Sequence, residues 1–278
     1  MRPRALRDAV TGGRGATRRA PPWRAAALLV LVALLALWFV SGGDPSKRGM
    51  AAPFLPPGAG HPLGTDDLGR DLLLEVLRGL RTSLAVGVGV TTLALAVGIA
   101  VGLAAGLGPP LADELLMRAA DIVASLPTLV IAILVAAVFG GSITALVLVL
   151  GLGRWPLVAR LVRVEVGSLR GREFVLAARA LGATPWRIGR VHVLPHALTP
   201  ALSASGILFG GALVSEAALA FVGLGDPSVT SLGQLAANGF SFVAHAPWMW
   251  IAPVAAIVAL TVPVAMLADR PPAPDSMA

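Results

Sequence analysis

Few side chains in this sequence are equipped for chemistry, and their spacing decides which chemistry is open to them. Cysteine is absent, which removes disulfides, thiolate metal ligands and a cysteine nucleophile. The four histidines, His61, His192, His196 and His245, are scattered, and no His, Ser and carboxylate grouping has the spacing of a nucleophilic triad. His61 lies near Asp66 and Asp67, but one imidazole beside two adjacent carboxylates lacks a metal-site spacing, so the stretch reads as a loop before a helix. A phosphate-binding loop needs a lysine after its glycines, and the one lysine, Lys47, sits in PSKRGM without them. The chain is therefore not a P-loop ATPase, and no catalytic, metal or cofactor site is expected in it. Two features remain. Asp121 and Glu216 lie in otherwise apolar surroundings, where an ionisable group marks a pathway or a polar contact between helices. The stretch LAARALGATPWRIGRVHVLP, residues 176–195, carries three arginines and no acid.

The elements that must position these groups are membrane spans. Hydrophobic residues make up 56% of the 278 and charged residues only 13%, against roughly 25% charged in a soluble domain. A helix needs about 20 mostly apolar residues to cross the hydrocarbon core. Six spans are expected: residues 25–42, Thr82 to Ala112, two within Ile122 to Gly153 divided by FGGS at 139–142, about 198–222, and 248–268. The fold class is all-α and polytopic. Its expected organisation is a basic tail (1–24), the first span (25–42), an extracytoplasmic loop with an amphipathic helix (43–80), the membrane domain (81–268) and a short tail (269–278).

Arginine orients the spans, because basic residues in short loops accumulate in the cytoplasm. Seven arginines from Arg2 to Arg24 precede the first span, and eight, Arg154 through Arg190, lie between the fourth and fifth. Both segments and both termini are then cytoplasmic. The net charge of +7 is mostly this topology signal, with lipid contact by the basic tail; no basic-aromatic pattern of a nucleic-acid binder accompanies it. In TDDLGRDLLLEVLRGLRTSL, Asp67, Asp71, Glu75, Arg78 and Arg81 share one helical face opposite a row of leucines. It is expected to lie at the outer surface and lead into the second span.

Residues 168–195 hold no spanning run. Helix formers fill EFVLAARALG, with Glu173 in the first turn and Gly182 where a helix stops. Thr184 and Pro185 suit a second helix start, and Pro195 marks re-entry toward the next span. Ala177 and Ala178 leave a smooth patch beside Val175, Leu181, Trp186 and Ile188, a surface suited to a groove in another protein. On periodicity alone, packing on its own bundle is an equal reading.

This stretch resembles the signature loop of membrane subunits of binding-protein-dependent ABC importers, whose pattern is Glu-Ala-Ala, three residues, Gly, nine residues, Ile, one residue, Leu-Pro. Ala177, Ala178, Gly182, Leu194 and Pro195 fall on that pattern. Leu176 replaces its Glu and His192 its Ile, departures similar to the dipeptide, oligopeptide and nickel branch, in which the acid lies earlier, as Glu173 does. HPLGTDDLGRDLLLEVLRGLRTSL and SEAALAFVGLG extend the resemblance over about His61 to Gly225. The resemblance implies a type I ABC importer transmembrane-domain fold and a permease for peptides or nickel in a bacterial cell membrane, with an ATPase-coupling loop at 163–195. It also implies separate ATPase subunits that bind ATP and Mg, a second homologous permease and an extracytoplasmic substrate-binding protein. The rival reading is a self-sufficient ion-coupled transporter or channel using Glu216. Asp121, just after Arg118, is expected to pair with it. The glycines of the second span, Gly87, Gly89, Gly98, Gly102 and Gly106, are expected at close helix contacts.

Overall fold

A computed structural model describes residues 51–184 and 187–268. The basic tail, the expected span at 25–42, the first part of the loop, Pro185, Trp186 and the C-terminal tail lie outside the described residues.

The first helix, α1, runs Leu72–Leu107. Asp71 starts it: its Oδ1 accepts the N–H groups of Leu73 and Leu74 at 3.0 and 3.4 Å, satisfying donors that the first turn leaves unpaired. At 36 residues and about 1.5 Å per residue, α1 exceeds the roughly 30 Å hydrocarbon core. The amphipathic segment expected at the surface thus supplies, from Leu72 on, the first turns of the spanning helix itself. Asp67 and Leu68 fall outside it, because Gly69 adopts φ +75° and turns the chain first. A Cβ at Gly69 would stand 2.1 Å from the Ala51 carbonyl oxygen. Asp66 organises the turn, accepting from the N–H groups of Leu68 and Arg70 and from Arg70 Nε at 2.6 Å. His61 Nδ1 lies 3.0 Å from Asp71 Oδ2, so its partner is the helix cap.

The second span was expected to reach Ala112, but α1 ends at Leu107 and α2 begins at Pro110. Pro109 and Pro110 explain the break, since proline cannot donate into a preceding helix yet suits a first turn. Helix α2 (Pro110–Ser125) and α3 (Thr128–Phe139) meet at 67°. Pro127 forces Leu126 out of the helical region, to ψ 129°. Together the pair is long and apolar enough for one crossing, bent at its middle. Gly140 and Gly141 then divide it from α4, as the FGGS motif suggested.

Helix α4 runs Ile143–Leu169, well past Gly153. Three arginines assigned to a cytoplasmic loop therefore sit on a spanning helix. Each finds a partner: Arg160 takes Asp121, Arg163 takes Asp113, and Arg154 takes carbonyls of a neighbouring helix. The loop begins only at Arg170. It contains α5 (Glu173–Ala180), and a π-helical turn at Ile188–Val193 runs directly into α6 (Leu194–Phe221). A short α7 (Leu232–Ser241), not anticipated from sequence, starts on a capping box of Ser231 and Gln234, and α8 is Trp248–Ala268. Four helical stretches are long and apolar enough to cross a membrane, five counting the bent pair. The sixth expected span, 25–42, lies outside the described residues.

Helix α1 is the axis of the bundle, and its glycines set the distance to α4. Cβ atoms at Gly98, Gly102 and Gly106 would stand 2.4, 2.7 and 2.6 Å from Val158, Val162 and Val166 respectively. Those three valines are fully buried. Gly87 likewise receives Phe209 and Leu213 of α6. Lipid offers helices no hydrophobic drive to associate, so close van der Waals contact between smooth surfaces carries the packing.

Candidate functional site

Helix α5 stands outside the bundle and is seated on it by one side. Val175 is 1% exposed within the core cluster of Val162, Val166, Ile188 and Val193, and Ala178 and Ala183 pack against that cluster. The helix ends in a complete Schellman motif: Gly182 N–H donates to the Arg179 carbonyl at 2.9 Å and Ala183 N–H to that of Ala178 at 3.0 Å. The motif needs a left-handed residue, and Gly182 supplies it at φ +80° with open space around it. The opposite side faces outward. Ala177 and Gly182 are exposed, flanked by Phe174, Leu176 and Leu181, which are 41, 51 and 89% exposed. Sequence reasoning grouped Val175 and Ile188 with the outward anchors; both instead hold the loop to its own bundle. Phe174 was missed, and Leu176 was read only as the residue that replaces the signature's Glu, although both lie within the helical segment beside the recognised alanines. Glu173 is exposed in the first turn, where its charge complements the helix dipole.

The second half of the loop is not a separate helix ending at Pro195. Thr184 Oγ1 accepts from Arg187 N–H at 3.3 Å, and the chain continues through the π turn into α6. Leu194 N–H donates to the Gly189 carbonyl five residues back. This wider register accommodates Pro195, which has no N–H to give. Leu194 and Pro195 therefore begin α6 and do not share the outward face of α5. His196 is stacked on Phe174 at 5.7 Å and its Nδ1 lies 3.0 Å from the His192 carbonyl oxygen, tying α5 to the base of α6.

The two intramembrane acids part company. Asp121 pairs with Arg160 of α4 at 2.7 Å and is well exposed, whereas Arg118 pairs with Glu114; the expected Asp121–Arg118 pair is not formed because Glu114 lies one turn back on the same face. Glu216 is 6% exposed. Ser83 of α1 donates to its Oε2 at 3.3 Å and in turn accepts the Leu232 N–H at 3.2 Å, joining α6, α1 and the start of α7. It borders a cavity of about 30 Å³ with Ser231 and Gln234, room for a water molecule or so. Its arrangement is a helix-to-helix polar contact. Glu216→Gln keeps an acceptor for Ser83 and should leave transport and stability near wild type, while Glu216→Leu should cost about 1–3 kcal/mol of stability; thermal unfolding in detergent and uptake in vesicles check both.

Arg154 was not singled out beforehand because it was counted with the loop arginines. Its guanidinium reaches across to α6, donating to the carbonyls of Leu208 and Gly211 at 3.0 and 2.8 Å and to Ser215 Oγ at 2.8 Å. The signal available in sequence was an arginine directly after an apolar run; the structure adds that Gly211 makes room for it, since a Cβ there would meet Arg154 at 2.8 Å.

At the far end of the bundle, Asp226 ties the turn after α6 to the start of α4. It accepts from the Ser228 hydroxyl at 2.6 Å and from the N–H groups of Ser228 and Ile143 at 2.9 and 3.2 Å. The Ser228 hydroxyl above all, then these N–H groups, hold its carboxyl below the ordinary range. A lowered folded-state pKa means stability present above the unfolded value and lost as pH falls through the folded one. The melting-temperature gap between wild type and Asp226→Asn should therefore be open at neutral pH and close below about pH 4.

The comparisons with known proteins agree with this architecture. The family described as binding-protein-dependent transport system inner membrane component matches residues 98–270. The chain is 34% identical over 245 residues to the dipeptide transport system permease protein DppC of Alkalihalophilus pseudofirmus, covering 86% of this chain and 79% of that one. It is 33% identical over 222 residues to the oligopeptide transport system permease protein OppC of Bacillus subtilis, covering 80 and 72%. Among solved structures, the fold matches a chain of the MetNI methionine ABC transporter in inward-facing conformations, with a TM-score of 0.56, 22% identity, and 70% of this chain and 93% of that chain covered. With apolar helices long enough to cross a membrane packed around a glycine-lined α1, and α5 seated on the bundle, the chain is a multi-pass membrane protein that belongs to the inner-membrane permease family of binding-protein-dependent ABC importers.

Proposed function

We propose that this permease moves peptides and that α5 with its glycine turn is the element through which separate ATPase subunits drive it. The observation that carries the coupling role is the two-sidedness of α5. Val175 and Ala178 anchor it to α4 and α6, while Ala177, Leu181 and Gly182 leave an outward surface of small and apolar groups. A helix seated in this way transmits a push on its outer face to the spans beneath, and such a face fits a groove in a partner. ATP and Mg then bind on the partner subunits, and this chain performs transport without catalysis of its own. Both termini lie in the cytoplasm on the arginine distribution.

The peptide class is supported by the relatives, which are named for dipeptide and oligopeptide transport; nickel is the second class. A second, homologous permease completes the path, and an extracytoplasmic binding protein delivers the substrate. The test is uptake by proteoliposomes holding the purified complex, ATP and the binding protein. Labelled di- and oligopeptides should accumulate with ATP present. Accumulation of nickel with no peptide uptake would transfer the assignment to the metal, and uptake driven by an ion gradient without ATP would contradict it.

A further inference from the structure

Two cavities meet at Gly108, where α1 ends. One is polar, about 360 Å³, lying between the α1–α2 corner and α4 and lined by Asp113, Arg163 and Arg170. The other is an apolar groove of about 700 Å³ along the last turns of α1, lined by Ile99, Leu103, Leu107 and Leu194, with Arg190 among its lining residues.

Charges in the two are unbalanced. Asp113 is consumed by Arg163, which holds it with two hydrogen bonds. Arg170 has no acid among its hydrogen-bond partners: its Nη2 donates to the Gly108 carbonyl at 3.1 Å, and its buried Nε has no partner at all. A buried donor without an acceptor is costly, and with two arginines beside one aspartate the pocket keeps a surplus positive charge. The first turn of α2, which lines the same pocket, adds the positive end of a helix dipole.

We infer that this paired site binds an anionic phospholipid, with the phosphate where the two cavities meet, Arg170 lining the one and Arg190 the other, and an acyl chain along the groove of α1. A soluble phosphate would satisfy Arg170 equally well and leave the groove unused. The groove belongs to a helix that crosses the membrane, and the arginines lie at the end of the bundle that carries α5, where anionic lipid is attracted by basic side chains.

The test uses the purified permease complex in nanodiscs of phosphatidylcholine containing phosphatidylglycerol, with retained lipid counted by native mass spectrometry after stepwise delipidation. Arg190 is exposed, so Arg190→Gln leaves the fold intact; Arg170→Gln is the second variant and Arg170→Lys, which keeps the charge, the folding control. Retained phosphatidylglycerol should fall roughly five-fold in either glutamine variant and roughly twenty-five-fold in the double variant, with Arg170→Lys near wild type and inorganic phosphate a poor competitor. Equal retention in the double variant overturns the site. Displacement by millimolar inorganic phosphate would make it a free-anion pocket. A photo-crosslinker at Ala100 that captured residues 25–42 or another permease, and no lipid, would give the groove a protein occupant and overturn the proposal too.

Discussion

Leu181→Arg should abolish ATP-driven uptake while leaving the amount of folded permease in the membrane unchanged. Leu181 is 89% exposed and follows the last turn of α5, so a charge there finds water in the isolated chain and, on the coupling role proposed for α5, is buried against the partner in the complex. Burying an unpaired charge at the centre of an interface, with loss of an apolar anchor, costs 2 kcal/mol or more, about thirty-fold in ATPase affinity. Uptake should fall by at least that factor, and detergent extracts should lose the ATPases but keep the membrane subunits. Ala178→Arg is a less clean test: Ala178 packs on the core beneath α5, so the change unseats the helix as well as blocking its face. Glu173→Ala should be mild, since an exposed first-turn acid contributes only about 0.3–1 kcal/mol.

Gly102→Leu should remove most of the folded protein. A Cβ at that position would lie 2.7 Å from both the Ala159 carbonyl oxygen and Val162 Cβ, one of them backbone and the other on a fully buried, branched side chain. Overpacking costs about 1–3 kcal/mol where neighbours can yield; here α1 and α4 must separate, and the contacts at Gly98 and Gly106 open with them. The expected result is a low yield of monodisperse protein by fluorescence-detected size exclusion. Gly167→Ala is the matched control, because nothing lies within 4 Å of its missing Cβ and alanine favours the helix by up to about 1 kcal/mol.

The contrast between those two glycines shows where sequence reasoning succeeds. Gly98, Gly102 and Gly106 recur at helical spacing in an apolar run, a pattern that names its own contact face. The helix–glycine–loop at 173–183 was legible for a similar reason: Gly182 follows the last helix former and supplies the left-handed residue a Schellman turn demands. The breaks at 139–142 and at Gly182 are backbone effects, and backbone effects are written locally.

What stayed hidden was set by partners distant in sequence. Arg154, Arg160 and Arg163 look like loop charges until carbonyls of α6 and the carboxylates of Asp121 and Asp113 are brought beside them. With those partners present, α4 runs sixteen residues beyond the expected end of the span, from Gly153 to Leu169. The same blindness placed Val175 and Ile188 on the outward face, since a short amphipathic segment with apolar residues on two sides does not say which side meets its own bundle. Glu216 could be read as a pathway group or a structural one until Ser83 appeared, 133 positions away, as its donor.

The central claim is that α5 delivers the work of an ATPase to the membrane helices, and one cross-linking measurement addresses it most directly. The chain contains no cysteine, so Leu181→Cys introduces a single thiol at the outward end of α5. In membranes holding the whole complex, a short bifunctional thiol reagent should join that cysteine to an ATPase subunit, with an efficiency that changes between ATP-bound and nucleotide-free states. A thiol at Leu181 that joined only membrane subunits, or none, while the ATPases remained bound in the same preparation, would contradict the account.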